Sequence, residues 1–148
     1  MYNADAIGRI APLVLERAVE QLRPELPDEG EALDRLFRYL EFARPTTAEI
    51  RAAVCEFYAL TPLELVGDYR QLHITWGRQV YCYLVHRYTR LSTMQIGRYV
   101  NRDHTTVMHA IHKVEALVLT KPLVTDDIDL LRLRISEKML MRRRAAAC

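Results

Sequence analysis

Apolar residues recur along this chain at three- and four-residue intervals, with polar residues between them. That spacing lines the apolar side chains along one face of an α-helix. Residues 4–22 carry Ile7, Ile10, Leu13, Val14, Ala18 and Leu22 in this pattern. Pro24 and Pro27 then interrupt the chain, and residues 29–43 set Leu33, Leu36, Phe37, Leu40 and Phe42 on or near a second stripe that stops before Pro45. The two segments predict an amphipathic helical hairpin with mixed charge on its outer faces. No run combines period-two alternation with flanking turn residues, so strands are not expected.

Beyond Pro45 the helix starts are marked by side chains that cap free amides. Thr46 with Glu49 forms a capping-box pattern ahead of Ile50, Val54 and Phe57. Thr61 precedes Pro62 at a first helical position and Glu64 at a third. Ser92 with Gln95 opens a short helix to about Val100, and Asp103 caps a longer one to about Leu119. Pro122 reads as the end of that segment, with Thr125-Asp126-Asp127 starting a last helix, acids at its positive pole. The expected fold is therefore all-α: a bundle of about five helices containing a helix-turn-helix, preceded by an N-terminal helical hairpin. The divisions expected are residues 1–45 for the hairpin, 46–138 for the bundle and 139–148 for a basic, frayed tail. The hairpin is expected to pack on the bundle, on a second copy as a homodimer, or on another protein partner.

Composition narrows this picture. With 148 residues, 50% hydrophobic and 27% charged, the chain fits one globular domain or a small domain with an appendage, and excludes wholesale disorder. No run approaches the ~18 apolar residues of a membrane span, and the N-terminus lacks a secretory pattern, so a cytoplasmic, nucleoid-associated location is expected. Cys55, Cys82 and Cys148 are odd in number and far apart, and read as reduced thiols. The net charge of +2 is unevenly spread. Between Tyr69 and His112 lie Arg70, Arg78, Arg87, Arg90, Arg98 and Arg102 against one acid, Asp103, and all five histidines fall there too. A basic segment on a nearly neutral chain points to a polyanion.

The chemistry concentrates at residues 92–119. A short helix joins a longer one through Asn101-Arg102, and Asn tolerates the left-handed backbone that such a turn uses. In the second helix Val107, Ala110, Ile111, Val114 and Val118 share an inward face, while Thr105, His109 and His112, with His104 and Thr106 near its start, look outward. Hydroxyls and imidazoles at a helix N-terminus suit base edges and phosphates. Competing readings are thinner. The histidines have no carboxylate or cysteine at ligand spacing, so no metal is expected. Cys82 sits among Tyr81, Tyr83 and Leu84 and reads as core, as do Trp76 and most tyrosines. There is no GxxxxGK[ST], and the five glycines are dispersed, so no nucleotide, no cofactor and no enzymatic role are expected.

Arg102-Asp103-His104-Thr105-Thr106-Val107-Met108-His109-Ala110 resembles the signature of the DNA-binding C-terminal domain of the DnaA family, the bacterial replication initiators. Leu91-Ser92, Ile96-Gly97, Arg70 and Arg78-Gln79 fall at matching positions, and the likeness covers roughly residues 46–136. The first 45 residues do not resemble that family's ATPase module. The resemblance implies that Arg70 enters a minor groove and reads AT-rich pairs. It implies that Asp103, His104 and Thr105 read bases in the major groove, and that Arg78 and Gln79 contact phosphates. His86, Ser92, Arg102, Thr106 and His109 would support the backbone or groove. Its implied partner is double-stranded DNA carrying a DnaA-box-like, AT-rich site (TTATNCACA type).

The expected function is sequence-specific duplex binding that regulates replication initiation or transcription by occupancy, as a stand-alone domain. The alternatives are a protein-interaction module, or a phage or transposon accessory protein, with DNA contact secondary. Two features depart from the family pattern. Val100-Asn101 replaces Gly-Gly and leaves the turn one residue shorter, which bears on which bases the second helix meets. His86 stands where a basic residue is common, making one phosphate contact depend on pH.

Overall fold

The computed structural model describes residues 44–146, and among these every regular element is a helix. The hairpin anticipated in residues 1–43 lies outside the described residues. Six helices follow in order: α1 (Thr47–Tyr58), α2 (Pro62–Val66), α3 (Leu72–Tyr88), α4 (Thr93–Val100), α5 (His104–Thr120) and α6 (Pro122–Ala146). Residues Pro45–Leu131 form one unit, and the last part of α6 belongs to another.

Capping boxes form at all three helix starts marked by Thr46, Thr61 and Ser92. Thr46 Oγ1 accepts the Glu49 amide at 3.1 Å while Glu49 Oε2 accepts the Thr46 amide at 3.0 Å. Thr61 and Glu64 exchange the same bonds at 3.3 and 2.7 Å, and Ser92 and Gln95 at 3.2 and 2.8 Å. Each box satisfies two amides that a helix start leaves without an intrahelical partner.

In the Pro45–Leu131 unit the core is built around α3. Val80 through Val85 are six consecutive buried residues, so this helix is covered on all sides. Ile50, Ala53 and Val54 of α1 and Val107, Ala110, Ile111 and Val114 of α5 supply the apolar faces packed on it. Ile96 and Val100 seat α4 against α5. Val118, expected on the same inward stripe, is only half-buried.

The C-terminal reading needs correction. Pro122 does not end a segment; it occupies the first position of α6, where a missing amide hydrogen costs nothing. α5 closes one residue earlier, with the Lys121 amide donating to Leu117 O at 2.8 Å. Thr125 then lies inside α6, its hydroxyl donating to Val118 O at 2.7 Å. In the second unit, the segment expected to fray is helical through Ala146, and Arg142 donates to Arg44 O at 3.1 Å.

Candidate nucleic-acid interface

The turn between α4 and α5 is shaped by its own backbone. Asn101 takes the left-handed conformation (φ 54°, ψ 49°), and the amides of Asn101 and Arg102 both donate to Gly97 O. Gly97 is required there, because a Cβ would collide with the Arg102 carbonyl oxygen. Asp103 then caps α5, its carboxylate accepting the Thr106 amide at 2.9 Å. That bond, with help from the Thr105 amide, holds the Asp103 carboxyl below its ordinary 3.8. A depressed carboxyl pKa stabilises the fold above the unfolded-state value and stops doing so as pH falls through the folded-state value. The cap is therefore intact near neutrality and weakens only in acid.

From this turn α5 presents Asp103, His104, Thr105, Thr106 and His109 to solvent, while Val107, Ala110 and Ile111 point inward. A groove of about 410 Å³ follows the turn, lined by Met94, Gly97, Arg98, Asn101, Arg102, Asp103 and His104. Ser92 and His86 are also exposed. Arg70 lies on the α2–α3 loop with its side chain 90% exposed. Its nearest acid is Asp68 at 3.9 Å, itself 85% exposed. Such a pair in open water restrains Arg70 little.

Gln79 sits deeper, at a cleft of about 180 Å³ between α3 and α5 that is also lined by Thr75, Arg102, Thr106, His109 and Lys113. Its Oε1 is buried and accepts no hydrogen bond among the described residues. Thr75 and Lys113 escaped the sequence reading. Helical spacing holds the missing signal: Lys113 is one turn beyond His109, and Thr75 one turn before Gln79.

Arg78, expected at a phosphate, lines the same cleft but is only 8% exposed, and its Nε and Nη2 are engaged by backbone carbonyls. Nε donates to Leu65 O at 2.7 Å; Nη2 donates to Glu64 O and Gly67 O at 3.1 Å and to Tyr69 O at 3.2 Å. The physical reason is that α2 has only five residues and leaves its carbonyls open, and a planar fork of donors satisfies several at once. Burial, and then the neighbouring Arg102 cation, lower the Arg78 pKa. Arg102 is half-buried, its Nη1 donating to Val100 O at 3.3 Å and Asn101 O at 2.9 Å, and its Nη2 to Gly67 O at 2.8 Å.

Among the described residues no three His, Cys, Asp or Glu side chains are grouped to hold a metal ion. Burial pushes the Cys82 thiol up to about 12 and raises that of Cys55, which leaves both as unreactive core groups. Tyr81 and Tyr83 are buried, and Trp76 Nε1 donates to Tyr58 Oη at 3.1 Å, so these rings serve the interior rather than stacking on bases. No helix among the described residues is long and apolar enough to cross a membrane.

The family described as bacterial DnaA protein helix-turn-helix matches residues 47–114, which span α1 through most of α5. Chromosomal replication initiator proteins DnaA are similar to this chain over 88 to 127 residues. That of Cereibacter sphaeroides is 40% identical over 88 residues, 59% of this chain and 19% of the relative. That of Bartonella quintana is 36% identical over 109 residues, 73% and 22% respectively. That of Nitrobacter hamburgensis is 32% identical over 127 residues, 85% and 24% respectively. The chain thus spans less than a quarter of the length of these relatives.

Proposed function

We propose, from the match of residues 47–114 to the bacterial DnaA helix-turn-helix family, that this chain binds double-stranded DNA at DnaA-box-like, AT-rich sites. The matched region is a DNA-binding domain rather than a catalytic one. Arg70 enters the minor groove, whose narrow, negative form over AT-rich pairs attracts a guanidinium. Asp103, His104 and Thr105 meet base edges in the major groove, with Asp103 accepting from a cytosine amino group while it caps α5. Gln79, Thr106 and His109, joined by Thr75 and Lys113, face the sugar–phosphate backbone, with His86 and Ser92 flanking. Phosphate contacts set the register, and base contacts specify. By occupying such sites the protein regulates replication initiation or transcription.

The observation that carries this reading is that the polar start of α5 and the Arg70 side chain are both exposed in one unit. Fluorescence anisotropy with a labelled duplex carrying one TTATNCACA-type box, against a scrambled duplex at two salt concentrations, tests it. Arg70→Ala and His104→Ala are each expected to cost about 1–3 kcal/mol on the box, and binding of the parent weakens steeply with salt. Equal affinity for box and scramble at both salts sinks the proposal.

A further inference from the structure

The α2–α3 loop has little to hold it from within. Among the described residues, the amides of Asp68, Tyr69 and Arg70 donate no backbone hydrogen bond. The loop's carbonyls are instead gathered by two arginines from elsewhere in the chain. Gly67 O takes Arg78 Nη2 at 3.1 Å and Arg102 Nη2 at 2.8 Å, so both of its lone pairs are engaged. Arg102 stands 35 residues away, in the turn between α4 and α5, and its other terminal nitrogen stays on that turn, on the carbonyls of Val100 and Asn101. One planar group therefore touches the loop that carries Arg70 and the turn that aims residues 103–106. The two cations lie close enough to repel, and each is compensated by carbonyl dipoles.

We infer that Arg102 is a positioning residue that ties the Arg70 loop to the helix-turn-helix turn, presenting the minor-groove and major-groove elements of the proposed DNA site at a fixed separation. The inference rests on that proposed reading and assigns Arg102 a role other than phosphate contact. Because Arg70 itself is almost wholly exposed, the direction from which it meets DNA is set by the loop beneath it. A guanidinium on Gly67 O fixes that loop; a lysine keeps the charge but has a point donor in place of the fork.

The test uses the full chain and two duplexes, one with the box and one whose AT-rich half carries G·C pairs. Arg102→Lys is expected to lose about tenfold of the parent's discrimination between them. It keeps discrimination at the pairs met by residues 103–105, and its salt slope matches the parent's, since no phosphate contact is removed. Added to Arg70→Ala, it causes no further loss at the AT-rich half. Uniform weakening on all duplexes with a shallower salt slope assigns Arg102 to a phosphate and overturns the inference; so does unchanged discrimination, or a loss that adds to that of Arg70→Ala. A parent chain blind to the G·C swap overturns the minor-groove reading itself, a failure visible before any variant is made. NMR of the parent's guanidinium nitrogens decides the matter even if Arg102→Lys fails to fold. An Arg102 group rotating slowly before DNA is added supports the inference, and one immobilised only by duplex overturns it.

Discussion

The two segments that would meet DNA are held in opposite ways. The turn from Val100 to Asp103 is closed by its own neighbours: a left-handed Asn101, two amides on Gly97 O, and an Asp103 cap three residues from its donor. The loop from Gly67 to Gln71 is held from outside, by Arg78 at sequence separations of 9 and 11 and by Arg102 at 35. Local closure makes a turn robust to change elsewhere in the chain. Remote closure makes a loop only as stable as the packing that delivers its two guanidinium groups. On the proposed function, the Arg70 element is mounted on the second kind of support, and α5 on the first.

The largest effect expected from this contrast is at Arg78. Arg78→Met fills a similar volume but leaves the carbonyls of Glu64, Leu65 and Tyr69 without this donor and Gly67 O with Arg102 alone. Orphaning one buried and two part-buried acceptors is expected to cost about 3 kcal/mol, read as a lower urea midpoint with an unchanged slope. Binding should lose its preference at the AT-rich half of the box while the salt slope is preserved. A variant within about 0.5 kcal/mol of the parent, with uniformly weaker binding and a shallower slope, would restore Arg78 to a phosphate and erase the contrast.

Next in size is Ser92→Ala, which acts on the locally closed side. It removes the acceptor for the Gln95 amide and half of a capping box, at a cost of about 1 kcal/mol. The comparison predicts that this loss stays in α4, leaving AT-half discrimination as in the parent. Equilibrium urea unfolding and the same two duplexes measure both quantities. The salt slope adds a further reading. If Ser92 also donates to a phosphate, as the proposed function has it at the flank, the slope becomes slightly shallower; if it only caps, the slope is unchanged.

The same contrast explains what could be read from the chain alone. Capping boxes at Thr46, Thr61 and Ser92, the left-handed Asn101 and the Asp103 cap are all visible because each is decided within a few residues. The inward stripe of α5 was visible for the same reason. The carbonyl ring around Arg78 is not legible, because an arginine at one position in a helix looks alike whether it faces water or backbone carbonyls. What distinguishes the two cases is the shortness of α2, whose open carbonyls at Leu65 and Glu64 lie 13 and 14 residues upstream. Pro122 was misread for a related reason: proline both follows helices and begins them, and only the closure of α5 on Lys121 decides between the two.

The smallest expected effects compare two left-handed residues, Ala59 after α1 and Asn101 after α4, with φ of 53° and 54°. Both follow the same closing pattern, since Leu60 donates to Cys55 O and Arg102 to Gly97 O, each at 2.9 Å. Alanine pays a steric penalty in this region that glycine does not, whereas asparagine tolerates it. Ala59→Gly is therefore expected to stabilise the chain by roughly 0.5–1 kcal/mol, after allowing for the greater freedom of glycine in the unfolded chain. Asn101→Gly gains less relief and loses the same entropy, so its change in stability should fall within about 0.3 kcal/mol of zero. Its effect on DNA is the sharper reading. If backbone shape alone makes the turn, Asn101→Gly binds the box as the parent does, because α5 starts from the same place. A changed base preference in that variant would mean that the asparagine side chain, exposed beside Asp103, takes part in recognition, and that the turn is more than a support for the helix after it.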